Sequence, residues 1–479
     1  MRVHLITPAS HAVLRSRRYA ALEPALLPMA LAYLGAVLRQ VGHAVTLRDQ
    51  AAVTWSHAQV VGEARHLAPE LVGISALTGA WSSIVELITA LRRALPGVPI
   101  VLGNTHATTF AEGILARGLA EYVVRGEGEH SLASLVAALA AGRGPEGVAG
   151  VSWREGDVVH HNPDRAPIAD LDSLPWPAWD LLDLSAWRYQ QIPMVNLRSI
   201  PVPLMASRGC SHACTFCSQD KVVRAFRKRS IARVVEELDH HVRRHGFRCF
   251  GFNDSYFPWS DEVGLEFADR LRCLPWHAHA RWVTETRVDQ VSDRVMGALA
   301  RVGLHAIFYG FESGDPEVLA RLGKGTTLAQ GREAVRIAHR HGVLVIGFFM
   351  LGLPGDSRES MARTARYARD IGVDIAKFAV TVPYPGSPLF HTLGRDWLEP
   401  GECGAFTSWA DWWGDEAETL PSPSGLPAAQ ITRAQRRAML SFYARPAFVL
   451  QALERGLFTP REVLTGGRLL LSRVFEAGR

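Results

Sequence analysis

Two separate stretches of this chain alternate short apolar runs with longer amphipathic segments, and this alternation constrains the fold more than any other feature. The first stretch covers residues 2–142 and the second covers residues 203–395. Short aliphatic runs that alternate with helical patterns are typical of a parallel sheet covered by helices. Because a chain of 479 residues exceeds the usual size of one hydrophobic core, the pattern predicts two α/β domains.

The first stretch predicts a doubly wound, Rossmann-like domain over residues 1–145. Its five predicted strands are 2–7, 44–48, 71–75, 99–102 and 122–124. Helical patterns separate these strands, which is the arrangement of a doubly wound sheet. Residues 146–200 are rich in Gly, Pro and Asp without a sustained period, so we expect a connector there.

The second stretch predicts a six-unit (β/α)6 partial barrel over residues 201–395. Its predicted strands are 204–207, 247–252, 281–285, 305–311, 344–350 and 376–381. Six units are too few for the eightfold barrel, but ligands should still lie at the carboxyl ends of the strands. Residues 396–479 are expected to form a mostly helical C-terminal cap.

Composition argues against nucleic-acid and membrane partners. The net charge is +5, yet the arginines are spread through helical segments, and the one dense basic block is 224–229. No segment approaches the roughly 18 apolar residues that a membrane span requires. The first residues carry no pattern of a secretory signal, so a cytoplasmic location is expected.

Three of the six cysteines fall within eight residues, directly after a predicted strand. Cys210, Cys214 and Cys217 could each ligate one iron of a cubane cluster, which would leave a fourth iron open for a substrate. The alternative is a zinc site completed by His212. That histidine lies inside the same short loop, which disfavours a relaxed tetrahedron.

This cysteine motif resembles the signature of the radical S-adenosylmethionine superfamily, including the aromatic Phe216 before the last cysteine. The resemblance implies a [4Fe–4S] cluster whose open iron chelates S-adenosylmethionine. Electron transfer into the sulfonium then yields a 5′-deoxyadenosyl radical, so an external electron donor of the flavodoxin or ferredoxin kind is also implied. The protein would supply orientation and exclude water.

Two later strand ends resemble cofactor contacts of this family. Asn253 and Asp254 follow the second strand, where the family meets the methionine amino group, although Asn-Asp-Ser also forms plain turns. Glu312 and Ser313 end the fourth strand, where the resemblance implies contact with the ribose or carboxylate of the cofactor. A charged residue that ends an apolar strand needs a partner.

Two further segments resemble the adenine and substrate regions of the family. Gly347 and Gly352 flank a fifth-strand motif that would let the adenine lie against the backbone, although a bulge or turn is the alternative. Tyr384 follows the sixth strand in a loop typical of the branch with a cobalamin domain. It is a candidate substrate contact or hydrogen donor.

The N-terminal domain resembles the cobalamin-binding domain of that branch. Ser75 and Leu77 fit its SxL element, and residues 125–129 fit its GEGE element. Gly103-Asn104 replaces the usual glycine pair at the place where the nucleotide tail passes close to the backbone. Because the asparagine side chain would obstruct that tail, two alternatives stay open: the domain binds cobalamin, or it is a scaffold that has lost it.

These alternatives imply different reactions on a small-molecule substrate. With cobalamin, the resemblance implies methylation of an unactivated carbon. Without it, dehydration, deoxygenation or epimerisation of an aminosugar or nucleoside is implied, as in relatives from antibiotic pathways. A non-catalytic cobalamin or iron–sulfur sensor is a third alternative. A cationic, aminosugar-like substrate is suggested by a loop of aromatic rings and acids that contains Trp409, Asp411, Asp415 and Glu416.

Overall fold

The computed structural model describes residues 1–15, 25–186, 189, 201–218, 225–384, 386–393, 422–455 and 457. The predicted substrate loop, with Trp409, Asp411, Asp415 and Glu416, lies outside the described residues. Among the helices within these ranges, none combines the length and apolar character needed to cross a membrane.

The first domain is built on a seven-stranded sheet with the order β2-β1-β3-β4-β5-β6-β7. All five predicted strands are confirmed, and they pair in parallel. The strands are β1 (Arg2–Thr7), β2 (Ala44–Asp49), β3 (Leu71–Ser75), β4 (Ile100–Gly103), β5 (Tyr122–Val124), β6 (Val151–Glu155) and β7 (Val158–His161).

Strands β6 and β7 correct the prediction that residues 146–200 are only a connector. They form an antiparallel hairpin that extends the first sheet past β5. Gly156, at a φ of 58°, makes the turn between them. This glycine between two runs rich in valine was the sequence signal for a hairpin.

Helices cover both faces of this sheet. They are α1 (His11–Arg15), α2 (Met29–Gln40), α3 (Gln50–Val53), α4 (His57–Leu67), α5 (Trp81–Ala94), α6 (Asn104–Thr109), α7 (Ala111–Ala116) and α8 (Gly128–Ala140). Two short helices, α6 and α7, connect β4 to β5. The chain crosses from one side of β1 to the other between β2 and β3, which opens a crevice at the carboxyl ends of the strands.

The second domain is a six-stranded parallel sheet with the order β15-β14-β13-β12-β11-β8, which confirms the six-unit prediction. Its strands are β8 (Pro201–Leu204), β11 (Cys249–Phe252), β12 (Arg281–Thr286), β13 (Leu304–Glu312), β14 (Leu344–Leu351) and β15 (Ile375–Val380). The first strand begins earlier than predicted. A separate pair, β9 (Ser207–Arg208) and β10 (Arg227–Lys228), brackets the cysteine loop.

The barrel helices are α9 (Ile231–His245), α10 (Asp261–Arg272), α11 (Asp293–Arg301), α12 (Pro316–Arg321), α13 (Leu328–Arg340), α14 (Arg358–Asp370) and α15 (Pro388–Leu393). Two C-terminal helices follow, α16 (Ala428–Tyr443) and α17 (Pro446–Glu454). Side chains of Ser230, Ser260, Ser292, Thr327 and Ser357 each cap the start of a long barrel helix. These caps satisfy amide groups that a helix start leaves without partners.

The barrel strands present two distinct apolar faces. On the outer face, Trp282 and Phe250 stack 5.6 Å apart and meet Phe267 of α10 in the main core. A smaller apolar cluster lies on the opposite face, and we call it the lumen floor; it contains Cys249, Ala306, Ile346 and Ile375, with Val283 packed against it. Because side chains alternate between faces along a strand, the floor fixes which barrel residues point into the lumen.

Two glycines that precede barrel strands offer a matched test of this packing. Gly303 and Gly342 have φ values of 94° and 72°. A methyl group at Gly303 would overlap the carbonyl oxygen of Ala280, whereas one at Gly342 would meet no atom within 4 Å. We expect Gly342→Ala to cost about 1 kcal/mol, the price of the left-handed backbone. Gly303→Ala should cost at least about 2 kcal/mol more, since backbone must move. Equal thermal unfolding midpoints for the two variants would contradict this packing.

Candidate functional site at the meeting of the two sheets

The carboxyl ends of both sheets face one cavity of about 320 Å³. The first domain contributes Ser75, Gly103 and Asn104, which end or directly follow β3 and β4. The barrel contributes Gly209, which precedes the first cysteine, and Asn253, which follows β11. The two ligand-binding edges predicted separately from the sequence therefore belong to a single site.

The cysteine loop leaves β9 at this cavity and is anchored to the barrel. Cys210, Cys214 and Cys217 are all half-buried and form no disulfide. The Thr215 amide donates to the Leu322 carbonyl at 3.0 Å, and the Thr215 carbonyl accepts from the Leu389 amide at 2.8 Å. The loop is thus held by the segments that follow β13 and β15.

The spacing of the three cysteines along one loop suits a cubane cluster. Among the described residues, no group of three His, Cys, Asp or Glu side chains converges to hold one metal ion. A zinc site needs all its ligands on one ion. In a cubane, each cysteine binds a different iron, so three thiols at separate positions along one loop suit it.

The environment of Cys214 favours the neutral thiol. Burial raises the pKa of the Cys214 thiol, and the nearby Lys324 and Arg287 only partly oppose this. Thiolates rather than thiols bind metal, so cluster binding would supply the deprotonation that the protein alone does not.

A buried ion-pair network joins the two domains beside the cysteines. Arg208, two residues before Cys210, donates to Glu127 at 3.1 Å and to Glu129 at 2.5 Å. Arg227 on the paired strand β10 donates to Glu127 at 2.7 Å. The four side chains are between 6% and 12% exposed. The GEGE element of the first domain therefore clamps the strand pair that carries the cysteine loop.

Asp254 supports the backbone that precedes the cysteine loop, and its predicted contact with the cofactor stays a prediction. Its carboxylate accepts from the Ala206 amide at 3.0 Å and from the Ser207 hydroxyl. Burial raises the pKa of Asp254 to about 7, and the bond from Ser207 opposes the shift. The neighbouring Asn253 is exposed and lines the cavity, so it stays a candidate for the methionine amino group.

Glu312 and Ser313 take different roles at the end of β13. Glu312 has a left-handed φ of 63°, and the pairing of β13 with β14 slips between Gly310 and Glu312. Lys324 donates to the Glu312 carboxylate and, at 2.6 Å, to the Gly310 carbonyl. Strained backbone of this kind clusters at functional sites, so Glu312 stays a candidate.

Ser313 lies in the turn that follows β13, and its predicted contact with the cofactor stays a prediction. It is fully buried, and its hydroxyl accepts from the Asp315 amide at 3.1 Å and lies 3.3 Å from the Thr364 hydroxyl. These bonds fix the turn into α12 and direct the side chain to the helix layer.

The two glycines of the fifth strand make room for neighbouring protein side chains. A Cβ at Gly347 would lie 2.7 Å from the Phe349 ring and 3.1 Å from the Phe311 ring. Gly352, at a φ of 84°, donates its amide to Asp356, and a Cβ there would lie 2.8 Å from Ile431 of α16. Ring packing and helix packing both require glycine at these two positions, and the adenine contact stays a prediction.

Phe216 and Tyr384 lie beside the cysteine loop. Phe216 packs against Leu319, Leu322 and Leu353, so it ties the loop to α12. Tyr384 is half-buried, and its carbonyl accepts from the Ser387 hydroxyl at 2.8 Å. Its predicted role as a hydrogen donor stays a prediction.

The Gly103-Asn104 pair leaves the cavity open. Asn104 has a φ of 81°, a conformation that asparagine tolerates better than most residues. Its amide donates to the Ser75 hydroxyl at 2.9 Å, and its carbonyl accepts from the Thr105 amide at 2.7 Å. The nearest atom to a Cβ at Gly103 is a carbonyl oxygen 3.8 Å away. The asparagine side chain is thus held on Ser75, while Leu77 of the SxL element is 46% exposed.

Comparison with protein families agrees with this architecture. Residues 19–136 match the B12 binding domain, and residues 204–368 match the Radical SAM superfamily. The chain belongs to the radical SAM superfamily. It is an enzyme of the branch that carries a B12-binding type of domain before the barrel, and membership implies a [4Fe–4S] cluster and S-adenosylmethionine.

Individual relatives cover most of the chain. An uncharacterized methyltransferase of Pyrococcus horikoshii is 28% identical over 427 residues, which are 88% of this chain and 89% of the relative. An anaerobic magnesium-protoporphyrin IX monomethyl ester cyclase of Rubrivivax gelatinosus is 30% identical over 376 residues, 77% of this chain and 66% of the relative.

A solved structure shares the fold. The radical S-adenosylmethionine methyltransferase TsrM of Kitasatospora setae, with cobalamin and a [4Fe–4S] cluster bound, superposes with a TM-score of 0.69 at 19% identity. The match covers 82% of this chain and 75% of TsrM.

The ion-pair network predicts a stability effect with a defined pH dependence. Burial raises the pKa of Glu127, but bonds from Arg227 and the Ile168 amide outweigh it, so the pKa is lowered overall. We expect Glu127→Gln to cost about 3 kcal/mol at pH 7, because the buried Arg227 loses its carboxylate partner and Arg208 keeps only Glu129. A carboxyl group whose pKa is lower in the folded than in the unfolded protein stabilises the fold at pH values above its unfolded pKa. The difference in the free energy of unfolding between wild type and variant should therefore shrink as the pH falls below about 4.3.

Denaturant unfolding of wild type and variant at pH 7 and pH 4 measures this difference. The exposed Glu70, which pairs with Arg2 at 3.8 Å, provides the control. Glu70→Gln should cost less than about 1 kcal/mol. A Glu127→Gln variant as stable as Glu70→Gln would show that the network does not hold the domains together.

Proposed function

We propose that this protein is a cobalamin-dependent radical S-adenosylmethionine enzyme that methylates an unactivated carbon of a small polar metabolite. The observation that carries the proposal is the single cavity lined both by Gly103 and Asn104 and by Gly209 of the cysteine loop. Such a cavity lets a corrin group and a cluster-bound cofactor meet the same substrate. The methyltransferase names of the Pyrococcus and Kitasatospora proteins support the same reaction class.

The residues present fit both cofactors. Cys210, Cys214 and Cys217 would hold the cluster, and Ser75 with Gly103 would accommodate the cobalamin. When bound, cluster and S-adenosylmethionine supply the 5′-deoxyadenosyl radical that removes hydrogen, and cobalamin supplies the methyl group. The electron comes from an external donor of the flavodoxin or ferredoxin kind.

The contribution of the chain itself is orientation and charge balance. Arg208 fixes the cysteine loop against the first domain, and Asp254 holds the backbone before it through Ala206 and Ser207. Asn253 presents an amide side chain at the cavity, where its carbonyl suits an ammonium group. Lys324 forms an ion pair with the buried Glu312 carboxylate and balances its charge. A cofactor hydroxyl or ammonium group is the further partner proposed for Glu312.

The substrate assignment extends the proposal to a metabolite with amino or hydroxyl groups, such as an aminosugar or nucleoside. It draws on the acids and rings of the segment with Trp409, Asp411, Asp415 and Glu416.

The cysteines predict an all-or-none loss of radical chemistry. Cys214→Ala should lose the cluster and form no 5′-deoxyadenosine from S-adenosylmethionine, because one iron loses its ligand. Cys273, which is exposed and donates to the Asp269 carbonyl, provides the control. Cys273→Ala should keep wild-type iron content and product formation. 5′-Deoxyadenosine release by Cys214→Ala at the wild-type rate would refute the assignment.

The cobalamin assignment predicts a steric block at Gly103. Its backbone is extended, with a φ of −141°, so a larger side chain fits the strand but fills the cavity. We expect Gly103→Leu, after anaerobic reconstitution, to retain less than about a tenth of the wild-type cobalamin absorbance while its cluster absorbance persists. Gly62→Leu, on the exposed face of α4 with no atom within 4 Å, should retain the full amount. A wild-type protein without corrin absorbance would overturn the assignment.

A further inference from the structure

The barrel lumen carries a second layer of side chains directly above the lumen floor. It consists of Glu285 on β12, Phe308 on β13, Phe348 on β14 and Lys377 on β15. Each lies two residues beyond a floor residue of the same strand, so all four share the inward face. In strand pairing, Glu285 is opposite Phe308 and Phe348 is opposite Lys377. Phe308 pairs with the floor residue Ile346, so Phe348 and Lys377 lie two residues further along their strands than Glu285 and Phe308. With this offset, the four side chains run acid, ring, ring, base across four adjacent strands.

The two rings form a continuous apolar wall between the charges. The centroids of Phe308 and Phe348 lie 5.9 Å apart with their planes 26° from parallel. Lys377 holds its ammonium 5.2 Å from the centre of the Phe348 ring. Both rings keep accessible surface, although they also pack on the lumen floor. A flat or apolar group could therefore lie against them.

The two charges lack partners within the described part of the chain. Neither the Glu285 carboxylate nor the Lys377 ammonium forms a hydrogen bond or ion pair with any described residue. Glu285 is exposed to solvent although protein surrounds it, a combination that marks the wall of an internal space. Lys377 is half-buried, and an acid and a base that stand without partners on the wall of one lumen can each bind a ligand group.

Electrostatics in the lumen agrees with this geometry. Burial raises the pKa of Glu285 to about 7, the nearby Glu312 raises it further, and Lys324 and Lys377 lower it. Burial lowers the pKa of Lys377, and Glu285 opposes the shift. A bound ligand group of opposite charge would move the pKa of each side chain back toward its ordinary value.

We propose that Glu285 and Lys377 are specificity-determining residues that recognise opposite ends of the substrate. The inference rests on the proposed function and narrows the substrate class. The substrate is a dipolar metabolite with a hydrogen-bond-donating group, such as an ammonium, for Glu285 and an anionic group for Lys377. Its ring or apolar middle lies on Phe308 and Phe348. Strands are about 4.8 Å apart, so the poles lie about 14 Å apart in the direction across the strands.

Three matched probes test this assignment on protein loaded with cluster, cobalamin and S-adenosylhomocysteine. The dipolar probe is 4-(aminomethyl)benzoate, and 4-methylbenzylamine and 4-methylbenzoate each retain one of its charges. Calorimetry should show that wild type binds the dipolar probe about tenfold more tightly than either singly charged probe, since each pole adds one charge-assisted hydrogen bond.

The variants assign each pole. Glu285→Gln should bind the dipolar probe no more tightly than 4-methylbenzoate, because the site for the ammonium group is lost. Lys377→Met should bind the dipolar probe no more tightly than 4-methylbenzylamine, because the site for the carboxylate is lost. Glu262→Gln makes the same charge change at the start of α10, outside the lumen, and should keep the wild-type pattern. Thermal midpoints of all variants should stay close to wild type, which separates lost recognition from lost folding.

Two results would overturn the lumen assignment: equal affinities of wild type for the three probes, including no binding at all, or preferences that both variants leave unchanged. Cluster and corrin absorbance recorded on the same samples keeps this failure separate from failure of the proposed function. Loaded cofactors with indifferent probe binding refute the dipolar substrate alone. Wild type that holds neither cofactor refutes the proposed function itself.

Discussion

The buried ion pairs between Arg208 and Arg227 and the acids Glu127 and Glu129 are the interaction on which the rest of the site depends. Two charges of each sign leave water together, so removing one partner would leave an uncompensated charge in the interface. Because Arg208 lies two residues before Cys210, the same contacts that join the domains also set the position of the cysteine loop. Domain orientation and cofactor geometry are therefore one structural property.

Secondary contacts then determine which residues face the cavity. Asp254 holds the backbone before the loop, Thr215 ties the loop to Leu322, and Asn104 folds onto Ser75. Each contact satisfies a buried polar group and leaves an open surface beside it. The result is a cavity that both sheets reach with their carboxyl ends, which is where ligands bind in open α/β sheets.

The sequence predicts the architecture well where long apolar runs are bounded by turns. β3 and β14 are buried on both faces and read as continuous aliphatic or aromatic stretches, so periodicity and length identify them. The hairpin β6–β7 is different because its strands carry Arg, Glu and His on their outer sides, which conceals the alternation. A short edge hairpin needs few apolar residues, so composition alone predicted a connector.

Site residues were harder to predict because a sequence motif identifies the position of a residue but not the direction in which its side chain points. Asp254 and Ser313 lie beside residues that face the site, yet the hydrogen bonds of both side chains are made within the protein. The lumen residues Glu285 and Lys377 are 92 positions apart and meet only through the sheet register, so no local pattern shows them.

The central claim is that both cofactors occupy one cavity, and electron paramagnetic resonance tests it most directly. In protein loaded with cobalamin, the cob(II)alamin signal should broaden when the [4Fe–4S] cluster is reduced, because two nearby unpaired spins couple. A cob(II)alamin signal identical with the cluster oxidised and reduced would place the two groups in separate sites and contradict the account.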